Sequence, residues 1–201
     1  MQTIKSNTLV KTTLLLTFIS LAVFSCKNKD VKPGGGSSED LNFKTMYRVE
    51  LNDGTNTEIF EGTYNPDNRG NAFGLISPDA ANDNRETATL TAYGFENKKE
   101  NGINILGTFK PNGDLYPIGD AGNGNYAWMH ILLTGRILQT ESLNGSLTTN
   151  GSHTISNITK YPLPEGVNRI SYRYEFSNVQ LEDPVTGEQY TANGSLECVN
   201  Y

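Results

Sequence analysis

His130 and His153 are the only two histidines of this 201-residue chain, and they are the first places where proton transfer or metal ligation could occur. His130 lies in Trp128-Met129-His130-Ile131-Leu132, on the side of an apolar run shared by Trp128 and Leu132. His153 follows the turn pair Asn150-Gly151 and stands opposite Thr148 in a two-residue-loop register. Each reads first as a histidine satisfied within a core or a turn. A bis-His haem site is the sharper alternative, and the separation of the two residues along the chain neither supports nor excludes it. Nucleophilic catalysis would need a Ser or Cys with a base and an orienting acid. No Gly-x-Ser-x-Gly elbow, HExxH, CxxC, Walker or GxGxxG pattern is present. The sequence therefore assigns no catalytic residue. An envelope enzyme using paired carboxylates stays as an alternative.

Oxygen-rich stretches offer other chemistry. Asp79, Asn82 and Asp83 crowd one stretch, and Asp114, Asp120, Asn123 and Asn125 crowd another. Carboxylate and amide oxygens on Gly-rich backbone suit calcium, with Asp114 and Asp120 as the candidate ligands. The same residues are what turns use, and neither stretch has EF-hand spacing. No other cofactor is expected. Tyr116, Tyr126 and Trp128 lie in or beside the second stretch, where they could form an aromatic platform for a sugar or peptide. Aromatic residues of a β core are the plainer explanation.

The two cysteines differ in context. An apolar run from Leu14 to Phe24 follows a short segment with Lys5 and Lys11 and no acid, and it ends in Ser25-Cys26. That is the layout of a secretory signal, and the run is shorter than the roughly 20 residues needed to span a bilayer. Val23-Phe24-Ser25-Cys26 resembles the lipobox of bacterial lipoproteins, although Phe24 is bulkier than the residue usual there. The resemblance implies diacylglycerol on the Cys26 sulfur, cleavage before it and acylation of the new N-terminus, with palmitate among the acyl chains. Lys27 is not the Asp of inner-membrane retention, so the resemblance leans towards the outer membrane. With Cys26 lipidated, Cys198 has no intramolecular partner. It shares one face of a period-two pattern with Tyr190, Ala192 and Leu196 and reads as a small buried hydrophobe.

Removing residues 1–25 takes away two lysines and no acid, so the formal charge of −6 becomes −8. An acidic chain with no clustered Lys and Arg has no footprint for nucleic acid. Membrane attachment would therefore rest on the lipid alone, for which two or more acyl chains suffice. Residues 26–40 hold the lipidated Cys and a Gly/Ser-rich linker with a reach on the order of 20 Å. Residues 41–201 have the size of a single domain.

Within that domain the period-two signal dominates. Phe43 to Leu51 and Thr57 to Tyr64 read as strands joined at Asn52-Asp53-Gly54. Residues 65–85 read as a long loop in which Ser77-Pro78 could start a helical turn. Strands resume at Thr87 to Phe95 and Ile103 to Phe109, before a second loop at residues 111–125. Tyr126 to Gln139 reads as one central strand covered on both faces. Ser142 to Thr149 and Ser152 to Thr159 flank Asn150-Gly151. The clearest alternation, Ile170, Tyr172, Tyr174 and Phe176 on one side, lies in Asn168 to Leu181. The turn Pro184 to Gly187 leads to a last strand from Gln189 to Val199. About nine strands with antiparallel connections predict an all-β fold, a single β-sandwich, with a small closed lipocalin-like barrel as the alternative and almost no helix.

The function expected from these features is a lipid-anchored, non-catalytic binding module of the cell envelope, whose partner is a protein or a glycan. The alternatives are the carboxylate enzyme and a purely structural subunit of an outer-membrane complex.

Overall fold

The alternation over residues 168–181 becomes the hub of the structure. The strand Asn168–Glu182 has 15 residues, and its inward side chains Ile170, Tyr172, Tyr174 and Phe176 are buried. After Phe176 a β-bulge opposite Ala192 and Gly194 inserts one residue. Asn178 there takes a φ of 54°, and its N–H donates to Asn193 Oδ1 at 2.9 Å. The bulge shifts the inward set to Val179 and Leu181, so one strand keeps its apolar face on the core over its whole length.

The computed structural model describes residues 43–64, 72–79, 82–118, 127–140, 151–163 and 166–200, with the backbone alone at Tyr64, Asp79, Asn82, Asp83, Asn84 and Asn97. The signal-like segment 1–25, Cys26 with its linker to residue 40, and the expected strand Ser142 to Thr149 lie outside these residues. Ten strands are described: β1 (Phe43–Asn52), β2 (Thr57–Tyr64), β3 (Ala72–Asp79), β4 (Asn82–Tyr93), β5 (Gly102–Thr108), β6 (Ala127–Leu133), β7 (Arg136–Gln139), β8 (Ser152–Pro162), β9 (Asn168–Glu182) and β10 (Gln189–Asn200). Residues 40–201 form one compact unit with its own hydrophobic core, and a unit of that size folds by itself.

All pairings are antiparallel, in the order β2-β1-β10-β9-β3-β4-β5-β6-β7, with β8 on β9. The path returns to β9 through Gln139 and Glu182, so the hydrogen bonds form a ring. Two residue pairs join β3 to β9 and one joins β7 to β9, whereas β10 and β8 run along most of β9. Joints this thin describe an antiparallel sheet folded over itself in the manner of a sandwich, rather than the continuous ladders of a barrel.

Two expectations are corrected. Residues 72–79 are strand β3, paired with β4, and the Ser77-Pro78 helical turn is absent. Residues 126–139 are not one central strand. Leu133 pairs with Arg136 around Thr134-Gly135, where Gly135 takes a φ of 84°, so the stretch is a hairpin. Strand β6 also alternates cleanly, with Ala127, Met129, Ile131 and Leu133 buried and Trp128, His130 and Leu132 half-buried on the other face.

A loop at each end of β5 plugs the core. At the first end, a 3-10 turn (Phe95–Asn97) inserts Phe95, which stacks on Tyr47 at 4.3 Å. Gly94 and Phe95 donate their N–H groups to the Asn101 carbonyl, at 2.6 and 3.2 Å. At the second end, residues 109–118 insert Leu115 and Ile118, which are buried. The second plug forms one wall of the site described next.

Candidate functional site

The second plug is built by backbone hydrogen bonds. Phe109 donates its N–H to the Glu86 carbonyl at 2.9 Å, and Tyr116 donates to the Thr108 carbonyl at 3.0 Å. Between them Lys110 donates to the Asp114 carbonyl at 2.7 Å, and Gly113 to the Lys110 carbonyl at 2.9 Å. Gly113 takes a φ of 89°, which closes this tight turn without Cβ strain. The turn sets Lys110 and Pro111 beside the start of β4 and across from β8.

Between these elements lies an open basin of about 620 Å³, within the roughly 300–1,000 Å³ of small-molecule sites. Ile76, Phe109, Pro111 and Ile158 give it apolar walls, and Arg85, Lys110 and Lys160 bring three cations against the one carboxylate of Glu86. Lys160 Nζ donates to both Glu86 oxygens, at 2.6 and 2.7 Å. This pair is half-exposed and of little weight for stability. The described lining therefore carries a formal +2 within a chain of −6. Tyr116 is not part of the lining. The Arg85 guanidinium and the Lys110 ammonium lie over its ring, at 5.7 and 5.8 Å from the centroid, so the ring positions two of the three cations.

His153 locks the plug to the sheet. Its Nε2 lies 2.7 Å from the Tyr116 carbonyl oxygen and its Nδ1 2.9 Å from the Tyr174 hydroxyl. A carbonyl can only accept, so Nε2 carries the proton and Nδ1 of the neutral ring accepts from Tyr174. Burial holds the His153 pKa below its usual value. The Tyr116 carbonyl opposes this shift and the Lys110 charge adds to it. Both ring nitrogens are thus engaged in holding β8, β9 and the plug together. His130 stands on the opposite face of its sheet, stacked on Trp128 at 4.3 Å, and burial lowers its pKa as well. The structure does not bring the two histidines to a common site.

The other candidates fall as follows. Asp114 is exposed in the turn. Its carboxylate accepts from Asn112 Nδ2 at 2.7 Å, and its own N–H donates to Asn112 Oδ1 at 3.1 Å. Tyr126 and Asp120 lie outside the described residues, as do Asn123 and Asn125. Trp128 is half-buried on the outward face of β6, across from Leu106 of β5. No three His, Cys, Asp or Glu side chains converge among the described residues. Cys198 is a free thiol, 1% exposed, and burial pushes its pKa up, the opposite of what a reactive thiol needs.

Sequence reasoning missed Arg85, Lys110, Ile158 and Lys160. No motif joins them, since they come from β4, the plug and β8. The available signal was cations at loop edges of an acidic chain. Comparison with protein-family models, with curated proteins and with solved structures gave no match to this chain.

Proposed function

We propose that this chain is a lipid-anchored, non-catalytic binding module of the cell envelope, held to the outer membrane through Cys26, with the basin between β4, β8 and residues 109–113 as its binding site. The observation that carries the reading is the basin itself: apolar walls with a cationic rim, on a plug fixed by His153. Binding residues on a loop that a rigid sheet supports are the usual arrangement. The groups that would serve nucleophilic chemistry are used otherwise. His153 spends both nitrogens on structure, His130 is stacked on Trp128, and Cys198 is buried with its thiol protonated. The linker gives the domain reach from the membrane, and the lipobox-like Val23-Phe24-Ser25-Cys26 supplies the attachment.

The tether is tested by Cys26→Ala in the full chain. The variant is expected to lose acyl labelling and to keep its N-terminal segment, because cleavage before position 26 follows lipidation there. Acyl label or cleavage retained in Cys26→Ala would contradict lipid anchoring at this position.

A further inference from the structure

We propose that the basin takes an amphiphilic carboxylate, a small molecule with an apolar body and an anionic head; this rests on the reading of the basin as a binding site. Exposed Pro111 and half-buried Ile158 provide apolar surface for an aliphatic chain, with the buried Ile76 and Phe109 behind them. The head group meets Lys110, which lies over the Tyr116 ring, in a lining that also holds Arg85. Lys160 contributes less, because Glu86 already neutralises it at 2.6 Å.

Two features disfavour a sugar. Stacking on a pyranose needs an open aromatic face, and two cations lie over the Tyr116 ring. A neutral polyol would also leave the apolar walls uncovered. A cationic ligand is opposed by the formal +2 of the lining. An anion with a hydrocarbon body matches both properties at once: burial of its chain supplies affinity and the cations supply selectivity.

The test uses residues 40–201 with dodecanoate and dodecanol as probes, both below their aggregation thresholds, followed by titration calorimetry. Dodecanoate is expected to bind about tenfold or more tightly than dodecanol, a preference that shrinks as salt screens the cations. Lys110→Glu is expected to weaken dodecanoate by about tenfold or more and to leave dodecanol unchanged. Ile158→Glu, at a half-buried wall position, is expected to weaken both probes. The melting temperature of each variant separates lost binding from lost fold. Should Lys110→Glu melt early, Lys110→Gln gives the same comparison at smaller amplitude. Equal affinity for the two probes, both lost in Ile158→Glu, would overturn the carboxylate assignment while the basin reading stands. No binding of either probe also overturns the assignment. Binding that ignores Ile158→Glu would overturn the assignment and the basin reading together.

Discussion

Gly194→Ala is expected to destabilise the protein by about 3 kcal/mol, at the upper end of the usual cost of overpacking. A Cβ at position 194 would lie 2.2 Å from the Arg48 carbonyl oxygen and 2.7 Å from Phe176 Cζ. Neither neighbour can withdraw cheaply. The carbonyl belongs to β1, paired along its length with β10, and Phe176 is a buried residue of β9 directly opposite Gly194. Something in the backbone must move, next to the bulge that keeps β9 in phase with the core. For a domain of this size the loss corresponds to a fall in Tm of roughly 6–12 °C. Gly107→Ala is the informative contrast. Its Cβ would meet the tip of the Leu115 side chain at 3.1 Å, a contact that a rotamer adjustment relieves, so a cost of about 1 kcal/mol or less is expected. Thermal melts of the two variants check the account. A fall of under about 2 °C for Gly194→Ala would mean that β1, β10 and β9 do not meet as described.

The second large effect is a difference in sign between two neighbouring tyrosines. Tyr172 and Tyr174 are both buried on the inward face of β9, and burial raises both pKa values well above the usual one. The Tyr174 hydroxyl donates to His153 Nδ1, whereas the Tyr172 hydroxyl is buried with no hydrogen-bond partner among the described residues. Tyr174→Phe leaves a buried acceptor unmet and is expected to cost about 1–3 kcal/mol. Tyr172→Phe removes an unmet group at almost unchanged shape and is expected to be neutral or stabilising by up to about 1 kcal/mol. Denaturant titration reads both. Equal losses for the two variants would contradict the His153 link between β9 and the plug.

The parts of the fold legible in the sequence are those where burial and period two coincide. β9 and β10 read directly because their inward residues are apolar and their outward ones mostly charged or polar. β3 was hidden by its own packing. Gly74 stands where a Cβ would lie 2.4 Å from Tyr172 Cε1, so the position that should carry the alternation has no side chain at all. Pro78 and the surrounding Asn, Asp and Gly then made the stretch look like loop. The β6–β7 hairpin was concealed for a different reason: Thr134-Gly135 sits inside an apolar run, and only the positive φ of Gly135 marks the turn.

The site was legible only in outline. The stretch from residue 111 was expected to carry binding residues, and its first half does form a wall of the basin. Of the residues singled out in or beside it, Tyr116 is absent from the basin lining and has the Arg85 and Lys110 cations over its ring. Lys110 and Lys160 are 50 positions apart, and only the pairing of β8 with β9 and the plug fixed by His153 bring them together. Charge in an acidic chain carries no sign of that convergence until the topology is known.

The central claim, that the basin is where the domain binds, is tested most directly by site-specific photo-crosslinking in native envelopes. A photoreactive side chain replaces Pro111, an exposed residue of the basin lining, in one variant and Val185 in another. Val185 is 90% exposed in the turn after Glu182, at the far end of β9 from the Ile76–Asn168 pairing that adjoins the basin. Intact-mass analysis after irradiation is expected to show a defined adduct on the position-111 variant and none on the position-185 variant. An adduct at position 185 alone, or equal labelling at both positions, would contradict the claim.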